Sequence, residues 1–92
     1  MKATDGFCEW FKATAQRFVP EGFVWEYRGM AEGADEPLCY GELLDANKTL
    51  QASVVIGKSE WESKPKSWLN SALECRMTAA KYAIEFKERT PA

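Results

Sequence analysis

Histidine is missing from all 92 residues, and with it go the commonest general base and the commonest zinc ligand. A serine or cysteine nucleophile in this chain must therefore find a lysine or a carboxylate as its base. The acid pairs available for that work, Glu60 with Glu62 and Asp35 with Glu36, lie in short polar stretches where neighbouring acids serve solvation. Glu32, Asp35 and Glu36 lack the regular ligand spacing of a calcium loop. Gly57-Lys58-Ser59 matches the end of a phosphate loop, but the upstream glycine of that motif is absent. These gaps lead to an expectation of no catalytic residues, no metal, no cofactor and no small-molecule substrate. Cysteine is scarce as well: Cys8, Cys39 and Cys75 are odd in number, widely spaced and set in apolar contexts, which predicts reduced, buried thiols in a cytosol. No apolar run approaches the ~18 residues of a membrane span, and the N-terminus has no charged-then-apolar signal pattern. The expected protein is soluble, without a membrane partner.

What the chain does have is apolar and aromatic mass. Four Trp, five Phe and three Tyr within a 46% apolar composition supply the core of one domain over residues 1–92. Net charge is −2, so bulk charge does not announce a nucleic-acid binder. Its distribution is uneven. Residues 1–20 carry +1, residues 21–45 carry −6 from seven acids and one base, and residues 46–92 carry +3 from eight bases and five acids.

Periodicity assigns the elements. Phe7, Phe11, Thr14, Ala15 and Phe18 share one face of a first helix, capped by Thr4 or Asp5 and stopped by Pro20-Glu21-Gly22. Phe23 to Met30 alternates Phe23, Trp25 and Tyr27 against Val24, Glu26 and Arg28, which is a strand with an aromatic inner face. A loop from Gly29 to Pro37 follows. A second strand spans Leu38 to Leu44, and Gly41 inside it marks a bulge or a close approach by another backbone. Asp45-Ala46-Asn47-Lys48 is a hairpin turn by residue type. Leu50, Ala52, Val54 and Ile56 form the inner face of a third strand that Gly57 ends. Lys58 to Lys64 is a polar connector. Pro65 then opens a helix running to Arg89. On that helix Trp68, Ala72, Cys75, Ala79, Tyr82, Ala83 and Phe86 fall on one narrow stripe, widened on one side by Leu69, Leu73, Ala80 and Ile84. The alanines at its centre predict close contact with a sheet, Ala79 included. The fold expected is α+β: a helix, a three-stranded antiparallel sheet and a long C-terminal helix, with both helices on one sheet face.

Binding residues stand out more than catalytic ones. Lys58, Lys64 and Lys66 bracket the start of the long helix with Trp61 among them, a set able to hold phosphates and stack a base. Arg76 lies inside the apolar sector of the helix, where an arginine snorkels past the sheet edge, pairs with a buried acid or meets a partner. Trp61 with Lys58, Lys64, Lys66 and Arg76 makes one expected contact edge. Arg28 with the acidic loop of Glu32, Asp35 and Glu36 makes a second.

Two resemblances follow. The run Cys75-Arg76-Met77-Thr78-Ala79-Ala80-Lys81-Tyr82-Ala83-Ile84 is similar to the second helix of the double-stranded-RNA-binding domain, whose helix–three strands–helix order also matches. In that family, lysines opening the helix grip phosphates. Here only Arg76 falls on such a position, Ala72 and Leu73 replace the lysine pair, and Glu32 to Glu36 replace the groove-entering loop with charge that repels RNA. That resemblance implies the fold, and as an alternative function a degenerate RNA-contacting module. Through its size and the run Gly22-Phe23-Val24-Trp25-Glu26-Tyr27-Arg28-Gly29, the whole chain resembles the small phage-encoded anti-CRISPR proteins that act on type I-F surveillance complexes. This implies a non-enzymatic inhibitor in the host bacterial cytoplasm. It would dock on Cas subunits, with the guide RNA as a further contact, and block hybridisation of target DNA.

Overall fold

The computed structural model describes residues 6–33 and 35–89. In chain order the elements are α1 (Phe7–Arg17), β1 (Val24–Glu32), β2 (Pro37–Leu44), β3 (Gln51–Gly57), α2 (Lys58–Ser63) and α3 (Lys66–Arg89). The strands form one antiparallel sheet in the order β1-β2-β3. Trp25 and Tyr27 of β1, Leu43 and Cys39 of β2 and Val54 and Ile56 of β3 meet Phe7 and Phe11 of α1 and Leu69 and Leu73 of α3 in one core. Both helices therefore cover the same face of the sheet. The cap expected from Thr4 or Asp5 lies outside the described residues. Gly6 stands at the N-cap position, and its carbonyl accepts the Trp10 N–H at 2.9 Å.

β1 is longer than its alternation predicts. It continues past Met30 to Glu32, which pairs with Pro37, so the expected loop of residues 29–37 shrinks to a tight connection. A bulge makes the extension possible: the register slips between Tyr27 and Gly29, where Gly29 takes φ +95°. The left-handed conformation is cheap for glycine alone. The slip swaps the inward and outward positions beyond Arg28, and period-two reading stops there for that reason. The β2–β3 turn is pinned by Asp45. Its carboxylate accepts the Thr49 N–H (2.7 Å), the Thr49 hydroxyl (2.8 Å) and the Leu50 N–H (3.1 Å).

α3 is turned away from its expected orientation. Leu69, Leu73, Met77, Ala80 and Ile84 are the buried residues, whereas Trp68, Tyr82 and Phe86 are 38%, 60% and 68% exposed. Cys75, Ala79 and Ala83 are exposed too. The buried arc is centred ~140° round the helix from the alanine-rich stripe, at ~100° per residue. Branched and long aliphatic side chains fill the space over Leu43, Val54 and Ile56 more completely than alanine does. Periodicity alone does not choose between two apolar arcs on one helix. Ala80→Trp is accordingly expected to destabilise the domain by about 1–3 kcal/mol or more through overpacking, while Ala79→Trp leaves the melting temperature near wild type. The reverse result in thermal melts would return Ala79 to the sheet.

The thiols divide in the same way. Cys39 is buried, Cys8 half-buried and Cys75 exposed, so the expectation of three buried thiols fails at Cys75, which rides on the outer arc of α3. Cys8 Sγ and Cys39 Sγ lie 3.1 Å apart, joining α1 to β2. Burial, reinforced by that thiol–thiol hydrogen bond, pushes the Cys39 pKa well up.

Candidate functional site

Residues 58–63, expected as an irregular connector, form the short helix α2. Two carboxylates organise its first turn. Glu60 Oε1 accepts the Gly57 N–H at 3.1 Å, and Glu36, reaching across from the β1–β2 connection, accepts the Ser59 N–H at 2.5 Å and the Ser59 hydroxyl at 2.8 Å. Each satisfies donors that a helix start leaves open. Glu36 thus anchors the acidic connection to α2. It brings part of the expected acidic edge beside Lys58 instead of holding it apart.

Trp61, expected on a contact edge among lysines, is half-buried. Its ring stacks on Phe7 with centroids 5.4 Å apart at 15° and meets Trp10 at 5.4 Å. Lys66 Nζ lies 4.3 Å from its ring centroid, and Lys64 Nζ lies 5.1 Å from that of Trp68. Trp61 therefore closes the end of the core between α1 and α2, and the lysines present their charge above aromatic rings. A Trp61→Ala variant would disturb packing as well as any contact with a partner.

Arg76 comes nearest to the second of its three expected courses, pairing with an acid that is half-buried and not fully buried. Its guanidinium pairs with Glu60 through Nη1–Oε1 (2.9 Å) and Nη2–Oε2 (2.7 Å), and Nη1 also donates to the Val55 carbonyl at 2.9 Å. One side chain thereby ties α3 to α2 and to the free edge of β3. A trough of about 500 Å³ opens beside it, between the β3 edge and Ala79, Ala80 and Ala83. The hydrogen bonds from Arg76 hold the Glu60 carboxyl below the usual carboxylate range, against a smaller effect of burial. A depressed folded pKa contributes stability that is present above the unfolded value of about 4.3 and disappears as pH falls through the folded one. Asp45 is held low as well, first by the Leu50 N–H, and acts with the same sign. The expected result is a loss of stability as pH drops from about 5.5 to 3, with a shallower slope in Glu60→Gln, where Asp45 alone of the two remains. Urea titrations at several pH values test this, and equal slopes in the two proteins would reject it.

Arg28 stays separate from that end. It sits on the open face of the sheet, where Nε and Nη2 contact Glu42 Oε1 at 2.9 and 2.7 Å and Nη2 contacts Glu26 Oε1 at 2.8 Å. Lys48 Nζ adds a 3.6 Å contact to Glu26. Arg28 and Glu36 thus do not share a contact, and the second expected edge divides between the open face and α2. The sequence alone does not mark Glu60, Ser59 and Glu42 as members of either edge. Of these Glu60 carries a sequence signal, since an arginine inside an apolar arc calls for an acid within reach.

Among the described residues no group of three or more metal-ligating side chains gathers, and no helix is long and apolar enough to cross a membrane. The surface at α2 places charged side chains of both signs around a half-buried aromatic base. Searches of family models, curated proteins and solved structures return no match to the chain.

Proposed function

We propose that the protein is a stoichiometric, non-enzymatic binder whose partner is a type I CRISPR RNA-guided surveillance complex, and that it blocks hybridisation of target DNA. The observation that supports this most is the two-signed surface at the α2 end. Lys58, Lys64 and Lys66 flank the half-buried Trp61 there, and Glu36 is bonded to the first turn of α2. Lysine ammonium groups suit guide-RNA phosphates or an acidic Cas surface. Acids of the β1–β2 connection suit basic channels shaped for DNA. A binder of this kind needs no pocket and no nucleophile.

Replacing Lys58, Lys64 and Lys66 together with glutamate is expected to abolish inhibition in a DNA-binding competition assay on the surveillance complex. The fold should be retained, because Lys64 and Lys66 are exposed and make cation–π contacts of only about 0.5–1 kcal/mol. Unchanged inhibition by a folded triple variant would leave the basic edge as plain solvated surface. The same preparations decide the second reading, in which a degenerate RNA-binding module contacts RNA directly. Sub-micromolar affinity for naked RNA at physiological salt would favour that module. The −6 charge of residues 21–45 predicts no such affinity.

A further inference from the structure

Two of the three thiols meet inside the fold. Cys8 in the first turn of α1 and Cys39 in β2 are 31 residues apart in sequence, yet their Sγ atoms lie 3.1 Å from each other. That separation is about 1 Å longer than a disulfide bond, a gap within ordinary thermal displacement. The two sulfurs differ in access. Cys39 is fully buried in the core, whereas Cys8 is half-buried and within reach of a small solute. The Tyr27 phenol is hydrogen-bonded with Cys8 as well, which holds that side chain towards the sheet. Cys75 lies exposed on the outer arc of α3 instead.

We infer that Cys8 and Cys39 are a redox pair, in which hydrogen peroxide oxidises Cys8 and Cys39 then completes a disulfide that clamps α1 to β2. Cys8 acts first because it is the accessible member. Its sulfur, as thiolate, attacks one peroxide oxygen and the O–O bond breaks. The hydroxide released takes up the thiol proton and leaves as water, and Cys8 becomes a sulfenic acid. The Cys39 sulfur next attacks the Cys8 sulfur, so that the S–S bond forms as the S–O bond breaks. The departing oxygen carries the Cys39 proton away as a second water. Two thiols and one peroxide thus give one disulfide and two waters. Burial keeps the Cys39 thiol protonated, which spares it from peroxide, and proximity to the sulfenic sulfur offsets its weak nucleophilicity. Cys8 adjoins Phe7, on which Trp61 stacks. The clamp therefore fixes the base of the α2 surface without altering its charges, and the inference does not depend on what that surface binds.

Peroxide treatment of the folded chain, followed by unfolding, alkylation of the remaining thiols and peptide mass mapping, tests it. The expected product links the Cys8 and Cys39 peptides and returns to the dithiol with dithiothreitol. Cys75→Ser should form the same link with a loss of two hydrogens from the whole chain. Cys39→Ala should leave a sulfenic acid on Cys8 that dimedone captures, and Cys8→Ala should leave Cys39 a free thiol. The link should form at least about tenfold faster in the folded chain than in urea, because the fold brings the sulfurs together. Oxidised Cys75→Ser should melt about 10 °C or more above its reduced form, since the bond closes a long loop of the unfolded chain. Oxidation of Cys8 to sulfinic acid with no link, or equal rates of linkage in the folded and unfolded chain, would overturn the redox pair. An oxidised protein melting no higher than the reduced one would overturn the clamp.

Discussion

Phe11→Ala is expected to remove about 3–5 kcal/mol of stability, from a total of about 0.05–0.15 kcal/mol per residue. Phe11 is fully buried. Its ring lies 6.2 Å from Trp25, 6.0 Å from Tyr27 and 6.5 Å from Trp10, so one side chain docks α1 onto the aromatic face of β1. Truncation withdraws the transfer free energy of a phenyl group and leaves a cavity among rings too rigid to collapse into it. In urea the unfolding midpoint should fall by more than about 1 M with the slope unchanged. A shift of a few tenths of a molar would mean that α1 is held by something other than its aromatic row.

The elements with a single apolar face are legible in the sequence itself. β3 alternates without interruption, and Val54 and Ile56 are buried as its pattern requires. Phe7 and Phe11 sit at helical spacing with charged, polar and small residues opposite, and both are fully buried. Legibility failed where the chain offered two solutions. α3 carries an aliphatic arc and an aromatic–alanine arc, and the choice between them depends on the volume left above the sheet, a tertiary quantity. β1 could not be followed past Arg28, because a bulge resets the face and only the pairing register records it. The same limit governs the candidate site. The lysines round Trp61 were visible as a local cluster, but Glu36 reaches Ser59 over 23 residues and Arg76 reaches Glu60 over 16. Folding brings those pairs together, and no short-range spacing announces them. The burial of Trp61 is hidden for a related reason: its stacking partner Phe7 comes from the far end of the chain.

Gly41→Ala should cost about 3 kcal/mol or more, although alanine in a strand interior ordinarily gains about 0.5–1 kcal/mol over glycine. The sign is reversed by crowding. A Cβ built on Gly41 would lie 2.4 Å from Trp25 Cζ2, 2.6 Å from Cη2 and 2.9 Å from the Glu26 carbonyl oxygen. The last of these is backbone, so β1 would have to move off β2. The indole cannot simply swing aside, since it packs against Phe11 at 6.2 Å and belongs to the shell round the core. Gly41 therefore serves as the floor on which Trp25 lies, which is the close approach that a glycine inside β2 suggested. At about 4–8 °C per kcal/mol for a domain of this size, the melting temperature should drop by roughly 12–24 °C. Tryptophan fluorescence should report an altered environment at the same time. The cause is separable from general loss of stability by a double-mutant cycle. With Trp25→Leu already in place the ring is gone, and adding Gly41→Ala should then cost far less than it does alone. Equal costs in the two backgrounds would show that the indole does not rest on Gly41, and a Gly41→Ala protein melting at or above the wild-type temperature would rule out the close approach altogether.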